Sequence, residues 1–387
     1  MSDILRTSSS RLFAYALALS SLALPTQALA QASDTYKIGV VVSQTGPGSF
    51  LGDPFAKGAR LAVERANATG GINGKKIELV SYDDETSADK ALTFAKKLIG
   101  DDKVPVILGP TLSGLINAVI PTTEAAKTVL LYNTPVIDPK PQSFHFTPWP
   151  SEEASYRVAL EWMKEKGIKK LGILATTDAT GESGLKRLQA LAGSFGISVS
   201  GIERMDTQDK DVTAQLTNLR RENPNAIFFV GSGATVAVVC KTYTRLGLKQ
   251  PLAISTGAVS AAFPELLKGI TPDTLVFPTY KMAVLEGLPA DDPNRPVIVD
   301  FVKRFEEQYK RRADFYGGAG WDLANIAIDA MKKVGTDPVK LRDYIQEIKS
   351  FPATMATLSF TPDNHRGAGP DAQVMGQFKD GKFGLAK

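Results

Sequence analysis

Short apolar runs and amphipathic stretches alternate along the chain from residue 36 onward. The runs are rich in Val, Ile and Leu, which is typical of strands that are covered on both faces. The stretches between them repeat apolar residues every three or four positions, the period of a helix with one buried face. The pattern predicts, in chain order, strand 36–44, helix 53–70, strand 75–84, helix 86–100, strand 104–109, a helix from about residue 113 and strand 128–133.

A second series of the same kind begins after Pro148, Trp149 and Pro150. Strands that alternate with helices indicate α/β lobes with parallel sheets. We therefore expect two Rossmann-like lobes of similar design. The second series predicts helix 151–167, strand 169–177, helix 181–196, strand 197–205, helix 211–222, strand 226–231, helix 234–246 and strand 251–256.

The last part of the chain departs from this alternation. After an apolar exit at 275–281, the pattern predicts helices at about 296–312, 318–334 and 338–348. Shorter β-rich pieces follow, with a hairpin turn at 379–382. This order fits a chain that crosses between the lobes more than once, and such crossings would place a cleft between them.

The N-terminus has the pattern of a secretory signal peptide. Arg6 and Arg11 precede the apolar run 12–24, and small residues follow as far as Ala30. The run is shorter than the roughly 20 residues that span a bilayer, and a membrane anchor is the alternative. No Cys lies near the cleavage region, so a lipid anchor is not expected. We predict a signal peptide over 1–30, followed by a soluble periplasmic protein.

Composition and charge narrow the function classes. The chain has 387 residues, 43% of them hydrophobic, which fits two globular domains. The net charge of +4 is spread without a basic block, so no nucleic-acid partner is expected. Cys240 is the only cysteine, so no internal disulfide can form, and its helical context predicts a buried structural thiol.

The stretch VILGPTLSGL places Ser113 where a helix should begin. A nucleophilic serine of this kind needs G-x-S-x-G, and here Thr111 and Leu115 stand in place of both glycines. A triad also needs a histidine, and nothing in the sequence places His145 or His365, the only two, beside Ser113. We predict no catalytic residues. Ser113 is then either a helix N-cap or part of an anion-binding helix start.

Nucleotide and metal motifs are not present in the sequence. Gly46, Gly48 and Gly52 lack the G-x-G-x-x-G spacing, and no Walker lysine follows them. The acidic stretch 83–89 lacks the EF-hand spacing, and no His and Cys residues are spaced as zinc ligands. We therefore expect no cofactor and no metal.

Four stretches together resemble the branched-chain amino-acid (Leu/Ile/Val) binding proteins of ABC importers, which have the type I periplasmic binding protein fold. They are TGPGSFLGDPFAKGARLAVERANATGGINGKKIELVSYDDE, GPTLSG, GILATTDATGESGL and PNAIFFVGSGATVAVVCKTYTRLGL, and the resemblance covers nearly the whole chain from about Tyr36. It implies two lobes joined by three crossings around a ligand cleft. It also implies that the protein delivers a small ligand to a permease in the inner membrane. We expect lobe 1 to comprise 36–148 and 282–352, and lobe 2 to comprise 149–281 and 353–387.

The resemblance also implies a set of ligand-binding residues. Ser113 matches the family serine that binds the α-carboxylate of the ligand, and Thr134 matches a position whose backbone contacts the ligand. The remaining matched positions are Leu112 on the same turn, Leu51 and Tyr316 near the walls of the cleft, and Thr180, Ser232 and Thr256 on the second lobe.

Several positions depart from the family pattern. Val136 stands where the family usually has Thr, Thr180 stands where an aromatic residue is common, and Thr256 stands where amino-acid binders place an acid. A buried ammonium group needs a carboxylate partner. Asp178 is the nearest substitute, and it is equally well explained as the cap of the next helix. The ligand is therefore either a hydrophobic amino acid bound differently or a non-amino organic acid such as an aromatic carboxylate, which we favour.

The last expectations concern the roles of Trp149 and Tyr280 and the alternative functions. Trp149 and Tyr280 lie near the crossings, where they would either stack against a ring of the ligand or pack the hinge. A sensory or chemotaxis ligand-binding component is the alternative function, and an exported hydrolase is a third. We expect a monomer.

Overall fold

The computed structural model describes residues 35–231, 235–256 and 263–386. The predicted signal peptide lies outside the described residues. The first lobe contains a five-stranded parallel sheet with the strand order β2-β1-β3-β4-β5. Its strands are β1 (Tyr36–Val42), β2 (Ile77–Asp83), β3 (Val106–Leu108), β4 (Val129–Leu131) and β5 (His145–Phe146), and its helices so far are α1 (Ser49–Ala68), α2 (Ala88–Gly100) and α3 (Ser113–Ala125).

The chain then crosses to a second lobe and repeats the same alternation. Its strands pair in parallel, in the order β10-β9-β8-β6-β7. The parallel strands are β6 (Lys170–Thr176), β7 (Ser198–Met205), β8 (Ala226–Val230), β9 (Leu252–Ile254) and β10 (Leu275–Tyr280), and the helices are α4 (Glu152–Glu165), α5 (Ala179–Ala192), α6 (Thr213–Arg221), α7 (Thr235–Arg245) and α8 (Phe263–Leu266).

After β10 the chain returns to the first lobe and then crosses back. The returning segment comprises α9 (Arg295–Tyr309), α10 (Phe315–Val334), α11 (Pro338–Ile345) and the short pair β11 (Phe351–Pro352) and β12 (Thr357–Leu358). The last two strands, β13 (Gln373–Lys379) and β14 (Lys382–Leu385), extend the second sheet in antiparallel fashion beyond β10. The predicted hairpin turn joins them through Asp380 and Gly381, both with positive φ, as a two-residue turn of this type requires.

The first-lobe core depends on a close approach of α1 and α10. A Cβ atom at Gly58 of α1 would collide with the backbone oxygen of Gly317 in α10. Glycine at this crossing therefore lets the two helices pack nearly backbone to backbone over one face of the sheet. The other face is covered by α2 and α3, whose apolar side chains pack on Val41, Ile107 and Leu130. This layered arrangement confirms the predicted fold class of two α/β lobes.

The segment 353–368 contacts α10. Met355, Leu358 and Phe360 are buried in the core that α1 and α10 share. The buried carboxylate of Asp322 in α10 accepts hydrogen bonds from the backbone N–H and the hydroxyl of Thr354. After this segment, β13 and β14 join the second sheet, and the expected lobe boundaries stay a prediction. Alternating apolar residues show that a short segment is buried, but not which of two sheets it packs against.

Three further features of the described chain are its cysteine, its longest helices and its possible metal ligands. Cys240 is buried and free, and burial raises the pKa of its thiol to about 12. In the three described ranges, no helix is long and apolar enough to cross a membrane. The same ranges hold no group of three or more His, Cys, Asp or Glu side chains arranged to bind a metal ion.

Candidate ligand-binding site

A cavity of about 820 Å³ lies between the two lobes. Its first-lobe side is formed by the starts of α1 and α3 and by the loop after β4. Its second-lobe side is formed by the starts of α4 and α5 and by the ends of β8 and β9. Because these are the carboxyl ends of parallel strands, the cavity lies where open α/β sheets usually bind ligands.

Most of the residues predicted from the sequence line this cavity. Asp178 does not, and Ser232 lies outside the described residues. The predicted residues that the structure brings together are Leu51, Leu112, Ser113, Thr134, Trp149, Thr180, Thr256, Tyr280 and Tyr316.

The start of α3 is shaped by the turn that precedes it. Gly109 has φ of +92°, and a Cβ atom there would collide with the backbone oxygen of Val41, so only glycine fits this turn. Leu112, and not Ser113, is the N-cap of α3, and no side chain caps this helix start. The Ser113 hydroxyl instead lies 3.1 Å from the Thr134 hydroxyl. The first N–H groups of an uncapped helix lack intrahelical partners and suit an anion.

Three polar side chains in the lining have buried atoms without partners. The hydroxyls of Thr111 and Thr256 and both polar atoms of the Asn133 amide have no hydrogen-bond partner within the described part of the chain. Thr111 and Asn133 are only 6% and 3% exposed, and buried groups of this kind are normally paired. Both residues line the cavity together with Ser113. Sequence reasoning missed them because nothing local distinguishes them from other strand-end residues.

Aromatic rings form the hinge side of the cavity. The Trp149 ring stacks on Tyr316 at a centroid distance of 5.6 Å and makes edge contacts with Tyr280 at 5.2 Å and Phe315 at 5.8 Å. Burial raises the pKa values of the Tyr280 and Tyr316 phenols, so both are neutral at ordinary pH. The cluster therefore packs the crossings and also offers an uncharged aromatic surface to the cavity. Stacking against a ligand ring and packing of the hinge, the two interpretations left open for Trp149 and Tyr280, are therefore compatible.

The charged side chains of the lining are already paired. Glu152 lies 3.2 Å from the Arg187 guanidinium. Asp314 lies 3.0 Å from the Arg311 guanidinium and accepts a 2.9 Å hydrogen bond from the backbone N–H of Gly317. Desolvation raises the pKa of Asp314, opposed by these same donors. Among the described residues, both carboxylates of the lining already contact an arginine, and the segments 232–234 and 257–262 contain no acidic residue.

Asp178 is a helix cap in the structure. Its carboxylate accepts hydrogen bonds from the backbone N–H of Gly181 at 2.9 Å and from the hydroxyl of Thr176 at 2.7 Å. It is therefore the N-cap of α5, which is where an aspartate is favoured. This geometry supports the cap interpretation of Asp178 over that of a partner for a ligand amine.

The two histidines lie behind the first-lobe wall and not beside Ser113. His145 contacts the Thr123 hydroxyl at 3.1 Å and the Glu124 carboxylate at 3.3 Å. Burial lowers the pKa of His145 to about 4, although Glu124 opposes the shift. His365 bonds the backbone oxygen of His145 at 3.0 Å. Neither lines the cavity, so the Ser-His pairing that a hydrolase needs is not formed here.

The two α/β lobes thus enclose a cleft with a polar wall and an aromatic wall. A family model described as periplasmic binding protein matches residues 35–382. The chain belongs to the periplasmic binding protein family.

Individual relatives agree with this assignment. An amino acid binding protein of Pseudomonas aeruginosa is 26% identical over 269 residues, which are 66% of this chain and 70% of that protein. The leucine-, isoleucine-, valine-, threonine-, and alanine-binding protein of the same organism is 22% identical over 360 residues, 91% of each chain. The crystal structure of a periplasmic binding protein type 1 from Bordetella pertussis has a TM-score of 0.71 at 27% identity, covering 91% of this chain and 100% of that chain.

Proposed function

We propose that this chain is the periplasmic substrate-binding protein of an ABC importer, and that it carries a small carboxylate ligand to a permease. The observation that carries the proposal is the uncapped start of α3, with the unpaired side chains of Thr111 and Asn133 beside it. The names of the relatives and the signal-peptide pattern support the periplasmic and transport parts. We propose that the protein acts as a monomer.

The ligand carboxylate is held at the first-lobe wall in this proposal. The N-terminal end of a helix carries a partial positive charge, and its free N–H groups donate to an anion. The Ser113 and Thr134 hydroxyls, which already contact each other, supply further donors. Leu51 and Leu112 pack against the adjoining apolar part of the ligand.

The rest of the ligand is an uncharged ring rather than an α-amino group. An ammonium group taken out of water needs a carboxylate partner, and the acids of the described lining are paired with Arg187 and Arg311. Trp149, Tyr280 and Tyr316 offer ring faces and edges instead. Thr180 and Thr256 provide polar groups on the second lobe. We propose an aromatic carboxylate, with a hydrophobic amino acid as the second candidate because relatives are named for such ligands.

Lobe closure is the mechanism that this arrangement supports. A ligand that contacts both walls favours the closed state by its differential affinity for that state. The segments near 150, 281 and 370 absorb the rotation, as hinge segments between lobes do. The permease then recognises the closed form.

Calorimetry and thermal unfolding of the dialysed protein test the proposal. We expect benzoate to release or absorb heat on binding and to raise the melting temperature, since a ligand at 100 times its Kd adds about 2.7 kcal/mol to stability. L-Leucine should bind more weakly. If L-leucine binds more tightly than benzoate, the aromatic-carboxylate part is wrong. If neither these compounds nor other carboxylates bind, the whole proposal fails. Native mass spectrometry of protein from its own periplasm would identify a retained ligand.

A further inference from the structure

Arg366 has an unusual position at the junction of the lobes. It lies on the third crossing, and its side chain is only 8% exposed. Its chain neighbours pair with the first crossing, because the Thr147 N–H donates to the His365 oxygen and the Gly367 N–H donates to the Thr147 oxygen. A buried guanidinium at such a place requires partners for its five N–H donors.

The guanidinium finds these partners in the backbone of the cleft wall. It donates to the backbone oxygen of Trp149 at 2.6 Å and to that of Ile137 at 3.0 Å. Longer contacts of 3.5 and 3.4 Å reach the backbone oxygens of Thr134 and Pro135. It also donates twice to one carboxylate oxygen of Asp138, at 3.0 and 2.7 Å. The side chain of Asp138 is 82% exposed, so the buried charge is balanced by a carboxylate at the surface and by carbonyl dipoles together.

The carbonyls of Thr134, Pro135 and Ile137 belong to an irregular loop beside the ligand cavity. Residues 134–138 form neither helix nor strand, so their carbonyls have no regular ladder partner. Thr134, Pro135 and Val136 line the cavity, and the Thr134 hydroxyl contacts that of Ser113. The position of the guanidinium therefore determines where this part of the polar wall lies.

We propose that Arg366 is a positioning residue that holds the 134–138 loop and the Trp149 crossing in their binding geometry and so sets ligand affinity. The effect of Arg366 on ligand affinity rests on the proposed function, whereas its effect on the 134–138 loop does not. Only the planar fork of an arginine reaches several oxygens in different directions, whereas a lysine is a point charge on a flexible stem. A positive charge without the planar fork is therefore not sufficient to hold the loop.

The test compares Arg366→Lys with Arg295→Lys in the full chain. Arg295 is a matched control because it also donates to two backbone oxygens, those of Leu285 and Leu288, which lie outside the cavity lining. The measurements are benzoate affinity by calorimetry, melting temperature, and hydrogen exchange of the backbone amides over 133–150, which reports local opening.

We expect both variants to lower the melting temperature. Arg366→Lys should weaken benzoate binding about tenfold, or about 1.4 kcal/mol, and speed exchange over 133–150. Arg295→Lys should leave affinity within about twofold and exchange in that segment unchanged. Wild-type affinity and exchange in Arg366→Lys would overturn the inference, as would an equal loss of affinity in Arg295→Lys.

Two further outcomes test the role of Arg366 separately from the proposed ligand class. If the wild-type protein binds no benzoate, the proposed ligand class fails, and hydrogen exchange alone decides whether Arg366 holds the loop. If Arg366→Lys does not fold, Asp138→Ala replaces it, because it removes two hydrogen bonds of the guanidinium at an exposed position. Faster exchange over 133–150 in Asp138→Ala supports the inference, and unchanged exchange refutes it.

Discussion

The two walls of the cleft differ in how many polar groups they leave unpaired. The first-lobe wall has a helix start that no described side chain caps, and buried polar atoms without partners at Thr111 and Asn133. On the second-lobe wall the Thr256 hydroxyl is also unpaired, but the Glu152 carboxylate contacts Arg187. Because unpaired buried groups are costly unless something binds them, the first wall is the better candidate for a polar ligand group.

The proposed function assigns the two walls to different parts of the ligand. The proposed carboxylate site depends on the backbone of a helix start, which persists when side chains change. The resemblance to amino-acid binders implies an acid at the position of Thr256. We therefore propose that a substitution on the second wall changes the ligand class while the first wall is retained.

Replacing Trp149 by alanine should have the largest effect, because this ring joins the aromatic side of the cavity to the crossings. Truncating a buried Trp costs about 3–5 kcal/mol, so urea unfolding should show a loss of that size together with weaker benzoate binding. Trp162→Ala is the control, since Trp162 is half-buried on α4 outside the lining. Weaker benzoate binding in the control would contradict a specific role for Trp149.

Acid should destabilise the first lobe through His145, which contacts residues of the α3 helix that begins at Ser113. Burial lowers the pKa of His145 from 6.5 to about 4, so the unfolded chain takes up its proton first as the pH falls. The stability from neutral His145 is complete above pH 6.5 and is lost progressively towards pH 4, by up to about 3 kcal/mol. Urea unfolding between pH 7 and 4.5 measures this loss.

His145→Gln is the matching variant for the pH experiment. It should reduce the dependence of stability on pH, although His365, whose pKa is also lowered by burial, contributes in the same direction. An unchanged pH slope in His145→Gln would show that other groups cause the acid sensitivity.

Ser113→Ala against Thr180→Ala compares the two walls directly. Hydrogen bonds to a charged group contribute about 1.5–3 kcal/mol, so Ser113→Ala should weaken benzoate binding by about 10- to 100-fold in calorimetry. Thr180→Ala, on the wall that faces the ring, should change it by less than about threefold. Equal losses in the two variants would remove the asymmetry between the walls.

The smallest expected effect is a gain. Thr256→Asp restores an acid to the second wall and should strengthen L-leucine binding by up to about 1 kcal/mol, since the new pair remains near water. Thr256→Asn keeps the shape without the charge and should leave L-leucine affinity unchanged. If Thr256→Asn strengthens L-leucine binding as much as Thr256→Asp does, the missing negative charge does not explain the weak binding of L-leucine.

Much of the fold could be predicted from the sequence because its elements have strong local periods. The alternation of strands and helices, the turn at Gly109 and the hairpin at 379–382 all follow from residue patterns that act over a few positions. Most of the candidate cleft residues came from the resemblance to the family, and the structure places them around one cavity. The lobe assignment of 353–368 stays a prediction, because burial alone does not say which core a segment joins.

Residue types at local positions are enough to predict the two α/β lobes, the helix start at Ser113 and the lack of an acid at Thr256. The unpaired atoms of Thr111 and Asn133, the capping role of Asp178 and the reach of Arg366 to the carbonyls of the cleft wall are visible only in the folded chain. These properties depend on distances between segments far apart in the chain. Such distances are set by packing of the whole core and not by any local pattern.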